Sequence, residues 1–167
     1  TTLSHNIDNV NHSYCIVQDK NGGIYEGEKG FANNSSFGRE AYDTERYSEL
    51  EIERTARVAY DIANDSRRAL TLADKADKLT SSKLWRKIVA DVNEDYPFVS
   101  VDMQDVTDVL KTIIKNPTTL DVVLSTSLFG DMLAAVAKAL SDYTPSISFV
   151  GDTPLAMYGF CTSDSST

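Results

Sequence analysis

Ala69-Leu70-Thr71-Leu72-Ala73 is a short apolar run between charged neighbours, and the chain beyond it alternates in character. Residues 82–93 place Leu84, Trp85, Ile88, Val89 and Val92 at helical spacing, and Val99-Ser100-Val101-Asp102-Met103 alternates as a strand. Residues 106–114 are helical again, and 120–124 form a further strand. Pro97 and Asn116-Pro117 mark the stops, because proline lacks the amide hydrogen that continues a helix. Upstream, Ser48-Glu49-Leu50-Glu51 is a capping box that opens a helix over 48–65, with Ile52, Thr55, Ala56, Ala59, Ile62 and Ala63 on one face. Downstream, 129–140 is apolar through Met132, Leu133, Val136, Ala137 and Leu140, the pattern of a buried helix. Strands alternating with helices predict an α/β fold with a mixed, largely parallel sheet layered with helices.

Working outward, residues 1–13 read as a polar leader in which His5 and His12 are solvated, followed by a strand at Tyr14-Cys15-Ile16-Val17 and a turn at Asn21-Gly22-Gly23. Residues 24–47 are rich in Gly, Asn, Ser and aromatics and read as an extended hairpin arm. A two-stranded ribbon is marginal alone, so the arm is expected to pack on another subunit. Residues 144–160, with Pro145, Pro154 and Gly159, are expected to fold back as cover. The division is one domain over 1–160 (strand and turn 13–23, dimer arm 24–47, helix and strand core 48–160) and a disordered tail over 161–167, which has nothing apolar enough to bury.

The 167 residues carry 16 Lys+Arg against 25 Asp+Glu, a net charge of −9. Phosphate backbones and anionic bilayers need clustered positive charge, so nucleic acid and membrane are not expected partners. The apolar stretch 128–140 contains Asp131 and Lys138 and is too short to span a bilayer. Cys15 and Cys161 make neither a disulfide framework nor a metal cluster, and no secretory signal opens the chain; both suit a cytoplasmic setting. No G-x-G-x-x-G or Walker sequence follows a strand, so no phosphate-binding turn is expected.

Several words nonetheless fall in a specific order: Gly22-Gly23-Ile24-Tyr25-Glu26-Gly27-Glu28, Ala41-Tyr42-Asp43-Thr44-Glu45-Arg46-Tyr47-Ser48, and Glu51-Ile52-Glu53-Arg54 with Ala56-Arg57-Val58-Ala59. Ala73-Asp74-Lys75-Ala76, Ser81-Ser82-Lys83-Leu84-Trp85-Arg86, Asp95-Tyr96-Pro97, Lys115-Asn116-Pro117 and Leu128-Phe129-Gly130-Asp131 continue the series. In these segments the chain resembles the 3-isopropylmalate dehydrogenase family, with its isocitrate and tartrate dehydrogenase relatives. The resemblance implies the family's second domain, which carries the dimer interface, and hence a homodimer. The arm and the apolar helices around 84–92 and 132–140 would form that interface. The family's first domain, with most of the nicotinamide site, has no counterpart in these residues, nor has its C-terminal adenosine-binding segment in 152–167. An autonomous NAD-dependent dehydrogenase is therefore not expected, and no cofactor is assigned.

The resemblance also carries site residues. The family's proton-relay tyrosine and lysine fall on Tyr25 and Lys75. Its carboxylate-clamping arginine falls on Gln18, which offers no charged fork, and an asparagine of the cofactor and substrate site falls on Asp77. The three metal-ligand aspartates fall on Thr107, Asp131 and Ala135, so only Asp131 survives, and Mg²⁺ or Mn²⁺ would be held weakly at best. Asp105 and Asp108 lie near Thr107 as substitutes. Each residue also has a plainer reading: Tyr25 as a packing tyrosine, Lys75 as a loop ion pair with Asp74, and Asp131 as a favourable residue at a helix start.

Two functions are compatible with this pattern. One is a catalytically degenerate, dimeric binding or interaction protein. The other is a repurposed decarboxylase, isomerase or lyase acting on a small hydroxy acid through Tyr25 and Lys75.

Overall fold

The computed structural model describes residues 1–144, 146–150 and 157–159. Among these described residues nine strands and four α-helices follow one another as β1 (Thr2–Asp8), β2 (Ser13–Asp19), β3 (Lys29–Asn34), β4 (Gly38–Asp43), α1 (Glu49–Asn64), β5 (Ala69–Asp74), α2 (Thr80–Asn93), β6 (Ser100–Asp105), α3 (Val106–Lys115), β7 (Val122–Ser125), α4 (Ser127–Leu140), β8 (Ser146–Val150) and β9 (Met157–Gly159). Short 3-10 turns lie at Gly23–Tyr25 and Pro117–Thr119.

Seven strands form one sheet in the order β6-β5-β7-β2-β1-β8-β9. The pairs β6/β5, β5/β7 and β7/β2 are parallel, whereas β2/β1, β1/β8 and β8/β9 are antiparallel. The mixed α/β architecture expected from the sequence is thus the one observed, with its helix-layered half parallel. The parallel half is covered on both faces, and the period of two along its strands shows how. Cys15, Val17, Leu70, Leu72, Val122 and Leu124 point into a core shared with Ile52, Tyr60, Trp85 and Val89 of α1 and α2. Tyr14, Ile16, Ala73 and Val123 point the other way, against Val109, Ile113, Leu133 and Ala137 of α3 and α4.

The capping box at Ser48 forms as read: the Ser48 hydroxyl accepts the Glu51 amide, and the Ser48 amide donates to the Glu51 carboxylate at 2.7 Å. The connection from α1 to β5 is held by Asp121, a buried carboxylate just before β7. It accepts the Ser66 hydroxyl at 2.5 Å and the amides of Arg67 and Ala69 at 3.0 and 3.1 Å. At the far end of β5, buried Asp74 takes both prongs of the Arg86 guanidinium at 2.7 and 2.9 Å.

Two expectations are corrected. The leader is β1, a strand inside the sheet, and His5 is 5% exposed rather than solvated. Its composition hid it: Thr2, Ser4 and His5 are all buried, so no apolar alternation marks the strand. Residues 146–150 do not fold over the molecule as cover. They pair edge to edge with β1, Asn6 opposite Ser146 and Thr2 opposite Val150. The tail 161–167 and the stretch 152–167, in which the sequence shows no adenosine-binding segment, lie outside the described residues, apart from β9.

The arm is a hairpin with its own two-stranded sheet, Lys29 opposite Asp43 and Asn34 opposite Gly38. Phe31 and Phe37 are 88% and 81% exposed on it, left uncovered by the described residues.

Candidate functional site

The carboxyl ends of β2, β5 and β6 and the start of α4 after β7 meet on one edge of the sheet. In parallel α/β folds that edge is where strand ends and helix starts converge on ligands. The residues assigned by resemblance gather there in two separate hydrogen-bonded networks.

The first network centres on Asp131. Gln18, near the end of β2, is fully buried, and its amide nitrogen donates to Asp131 Oδ1 at 2.7 Å and to the Ser127 carbonyl at 3.3 Å. Its amide oxygen faces His5 Nε2 at 3.0 Å. From the solvent side the Tyr25 hydroxyl donates to Asp131 Oδ2 at 2.5 Å. Giving up that hydrogen bond disfavours the phenolate, so the Tyr25 hydroxyl is pushed up to about 12. A tyrosine so held is a proton donor only in strong base.

Two glycines make this contact geometrically feasible. A Cβ on Gly130 would lie 2.5 Å from Gln18 Cβ, so α4 can lie against β2 only because residue 130 has none. Gly23 has φ +64°, and a Cβ there would lie 2.5 Å from the Tyr47 ring. Tyr47 in turn accepts the Ser127 amide at 3.1 Å, which ties the turn carrying Tyr25 to the first turn of α4. The helix begins at Ser127, so Asp131 lies beyond its first turn. Its reading as a helix-start residue is corrected accordingly, and its partners are Gln18 and Tyr25.

The second network centres on Lys75, in the loop after β5. Its ammonium makes a close ion pair with Asp105 and lies 3.8 Å from Asp77. The expected pair with Asp74 is absent, because Arg86 holds Asp74. Asp105 caps α3, accepting the Thr107 amide at 2.8 Å and the Thr107 hydroxyl at 2.6 Å through its other oxygen. Lys75 and Thr107 together hold the Asp105 carboxyl well below the usual carboxylate range, and Asp105 raises the Lys75 ammonium in return. Lys75 is therefore a permanent cation near neutral pH, and Tyr25 and Lys75 share no partner.

The metal positions do not form a ligand set. Asp131 spends both oxygens on neutral donors, Thr107 turns its hydroxyl to Asp105, and Ala135 offers a methyl group. Asp108 pairs with Lys111 at 2.8 Å. Among the described residues no group of three or more His, Cys, Asp or Glu side chains could hold a metal ion. A hard divalent cation needs several converging oxygens, and these residues do not fit one.

Sequence reasoning placed Gln18, Tyr25 and Asp131 at one site but missed His5 behind them and Asp105 as the partner of Lys75. A polar residue four positions into a strand that lacks apolar alternation gave no signal for the first. For the second, the parallel pairing of Asp74 with Asp105 in β5/β6 brings the strand ends together, which only the register reveals.

The model for isocitrate/isopropylmalate dehydrogenases matches residues 2–151. The chain belongs to the isocitrate/isopropylmalate dehydrogenase family. A 3-isopropylmalate dehydrogenase of Staphylococcus epidermidis is 42% identical over 146 residues, which are 86% of this chain and 41% of the relative. One from Pseudoalteromonas translucida is 43% identical over 132 residues, 79% of this chain and 37% of the relative. The chain thus spans about two-fifths of the curated relatives it matches. Among solved structures, the isocitrate dehydrogenase of Methylococcus capsulatus superposes with a TM-score of 0.80 at 23% identity, over 90% of this chain and 48% of that one. A beta-decarboxylating dehydrogenase from Thermococcus kodakarensis gives 0.80 at 26%, over 90% and 45%. Among the described residues of this family member no helix is long and apolar enough to cross a membrane.

Proposed function

We propose that this chain is a catalytically degenerate isopropylmalate dehydrogenase-like domain that acts in binding and assembly, as a dimer, and does not itself turn over a hydroxy acid. The observation that carries the reading is the state of Asp131. The one carboxylate retained at the family's metal positions has both oxygens engaged by Gln18 and Tyr25. Where the resemblance expects a charged arginine clamp, the buried amide of Gln18 binds a protein carboxylate in place of a ligand's.

Assembly is supported by what the fold leaves uncovered. Phe31 and Phe37 on the arm, and Met132 and Leu140 on α4, are more than half exposed. A second copy is the partner that a self-complementary two-fold interface would supply. The alternative of acid and base chemistry by Tyr25 and Lys75 has less support, since one is held as a very weak acid and the other as a paired cation.

Two measurements test the reading. Thermal unfolding is followed with isopropylmalate, isocitrate, malate and tartrate, each with and without Mg²⁺ or Mn²⁺; no rise is expected. A ligand at about 100 times its dissociation constant adds about 2.7 kcal/mol, so a working site would show as several degrees. A metal-dependent rise with one acid would overturn the degenerate reading. Sedimentation at micromolar concentration is expected to give a dimer that Phe31→Ser with Phe37→Ser weakens, and a strict monomer would overturn the assembly.

A further inference from the structure

Among the titratable side chains buried in the sheet is His5, which the site does not use directly. His5 is in the middle of β1, between β2 and β8, with α4 packed against the same strand. Its protonation state is set by a chain of donors and acceptors. Asp131 Oδ1 and the Ser127 carbonyl can only accept, so the nitrogen end of the Gln18 amide must face them and the oxygen end must face His5. His5 therefore donates through Nε2, and in the neutral ring Nδ1 carries no hydrogen. Nδ1 is buried and has no hydrogen-bond partner.

Adding a proton to His5 places an N–H at Nδ1 where no acceptor lies, inside the protein. An unpartnered buried charge is among the most unfavourable groups a fold can contain. The surroundings add to this. From α4, Lys138 opposes a positive ring and Asp131 favours one more weakly. From β2, Gln18 is neutral and the Cys15 thiol, pushed up to about 12 by burial, is neutral too. The β8 residue opposite His5 is Ile147, which does not titrate.

We propose that His5 is an acid-sensitive latch built into the fold: protonation expels the ring from its place in the sheet, releases the Gln18 amide, and so frees Asp131 and Tyr25 together. The latch is closed at neutral pH and opens as the solution becomes mildly acidic. The sign follows from the neutral ring in the folded chain. Burial lowers the proton affinity of His5 relative to the unfolded chain, whose imidazole titrates near 6.5. Below that pH the unfolded chain binds a proton that the folded one refuses, so stability falls as pH falls, and above it the penalty is absent.

The test uses the full chain labelled with ¹³C at histidine Cε1 and tyrosine Cζ, followed by NMR from pH 7.5 to 5.0, with His5 told from His12 by His12→Gln. The expected result is that the His5 signal titrates below 6.5 and that the Tyr25 signal moves with the same midpoint. In parallel, thermal unfolding of the wild type is expected to drop by several degrees across that range. His5→Gln, which can donate to Gln18 but cannot charge, should drop less. A Tyr25 signal that stays still while His5 titrates would overturn the proposal, as would a His5 midpoint at or above 6.5. The labelled wild type decides the matter even if His5→Gln fails to fold.

Discussion

Gln18 and Asp131, 113 residues apart in the chain, meet at 2.7 Å where β2 passes under α4. The amide bridges the carboxylate retained at the family's metal positions to the buried histidine behind it. This geometry yields distinct expectations for the residues on either side.

Gln18→Met keeps the bulk but removes every hydrogen bond that the amide makes. It leaves His5 Nε2 and Asp131 Oδ1 without the partner that Gln18 supplies. Each buried group so orphaned costs about 1–3 kcal/mol, so urea unfolding should show a loss of about 2–4 kcal/mol. A loss below about 0.5 kcal/mol would mean that solvent replaces Gln18 freely.

Gly130→Ala sets a methyl group against Gln18 Cβ, backbone-near atoms with no room to swing away. Overpacking of this kind costs about 1–3 kcal/mol. In addition, the Tyr25 to Asp131 contact should loosen, readable as a shift of the Tyr25 ring signal in the variant's spectrum. An unchanged spectrum with full stability would show that α4 can lie farther from β2 without effect.

Asp121→Ala removes the acceptor of two main-chain amides and one hydroxyl at the join between α1 and β5. The amides of Arg67 and Ala69 then lack partners beside Arg68, which already holds a left-handed backbone at φ 61°. The expected loss is about 2–4 kcal/mol, measured by chemical denaturation. Amide exchange should accelerate first at residues 66–69.

Tyr25 supplies a test at high pH. Its hydroxyl is held near 12 in the folded chain and near 10 when unfolded. Between these values the native state keeps a proton that the unfolded state has lost, so stability present below pH 10 is lost as pH rises toward 12. The phenolate absorbance of wild type minus Tyr25→Phe should therefore appear near pH 12, and Asp131→Asn should move it down. Buried Tyr14, Tyr47 and Tyr60 and half-buried Tyr96 are pushed up to about 12 as well, so only the difference isolates Tyr25.

The sequence made the parallel core legible because its strands and helices announce themselves by different periods. Leu70, Leu72, Val122 and Leu124 on one side, and Val109, Ile113 and Leu133 on the other, all lie where their spacing puts them. The capping box at Ser48 marked the start of α1 to the residue. By contrast β1 was illegible, because its inward side chains are polar and find partners inside the fold: Thr2 donates to Thr55, Asn6 to Ser146, and His5 faces Gln18. The site was legible as a set of positions, since words such as Gly130-Asp131 carry them. Its electrostatic state was not, because that depends on which strand ends lie side by side. Lys75 finds Asp105 through the β5/β6 register, and Asp74 goes to Arg86 instead.

The antiparallel half of the sheet has a consequence in time. β5, β6 and β7, with the helices between them, lie within one continuous stretch of chain and can assemble as soon as it exists. β1 has β2 nearby, but its outer edge waits for β8, and Asn6 meets Ser146 only after 140 intervening steps of chain are closed into a loop. Closing so long a loop is an entropic barrier that local contacts cannot lower. The edge that seals His5 therefore closes late, and a polypeptide emerging from the ribosome exposes that strand until residues 146–150 have followed it out.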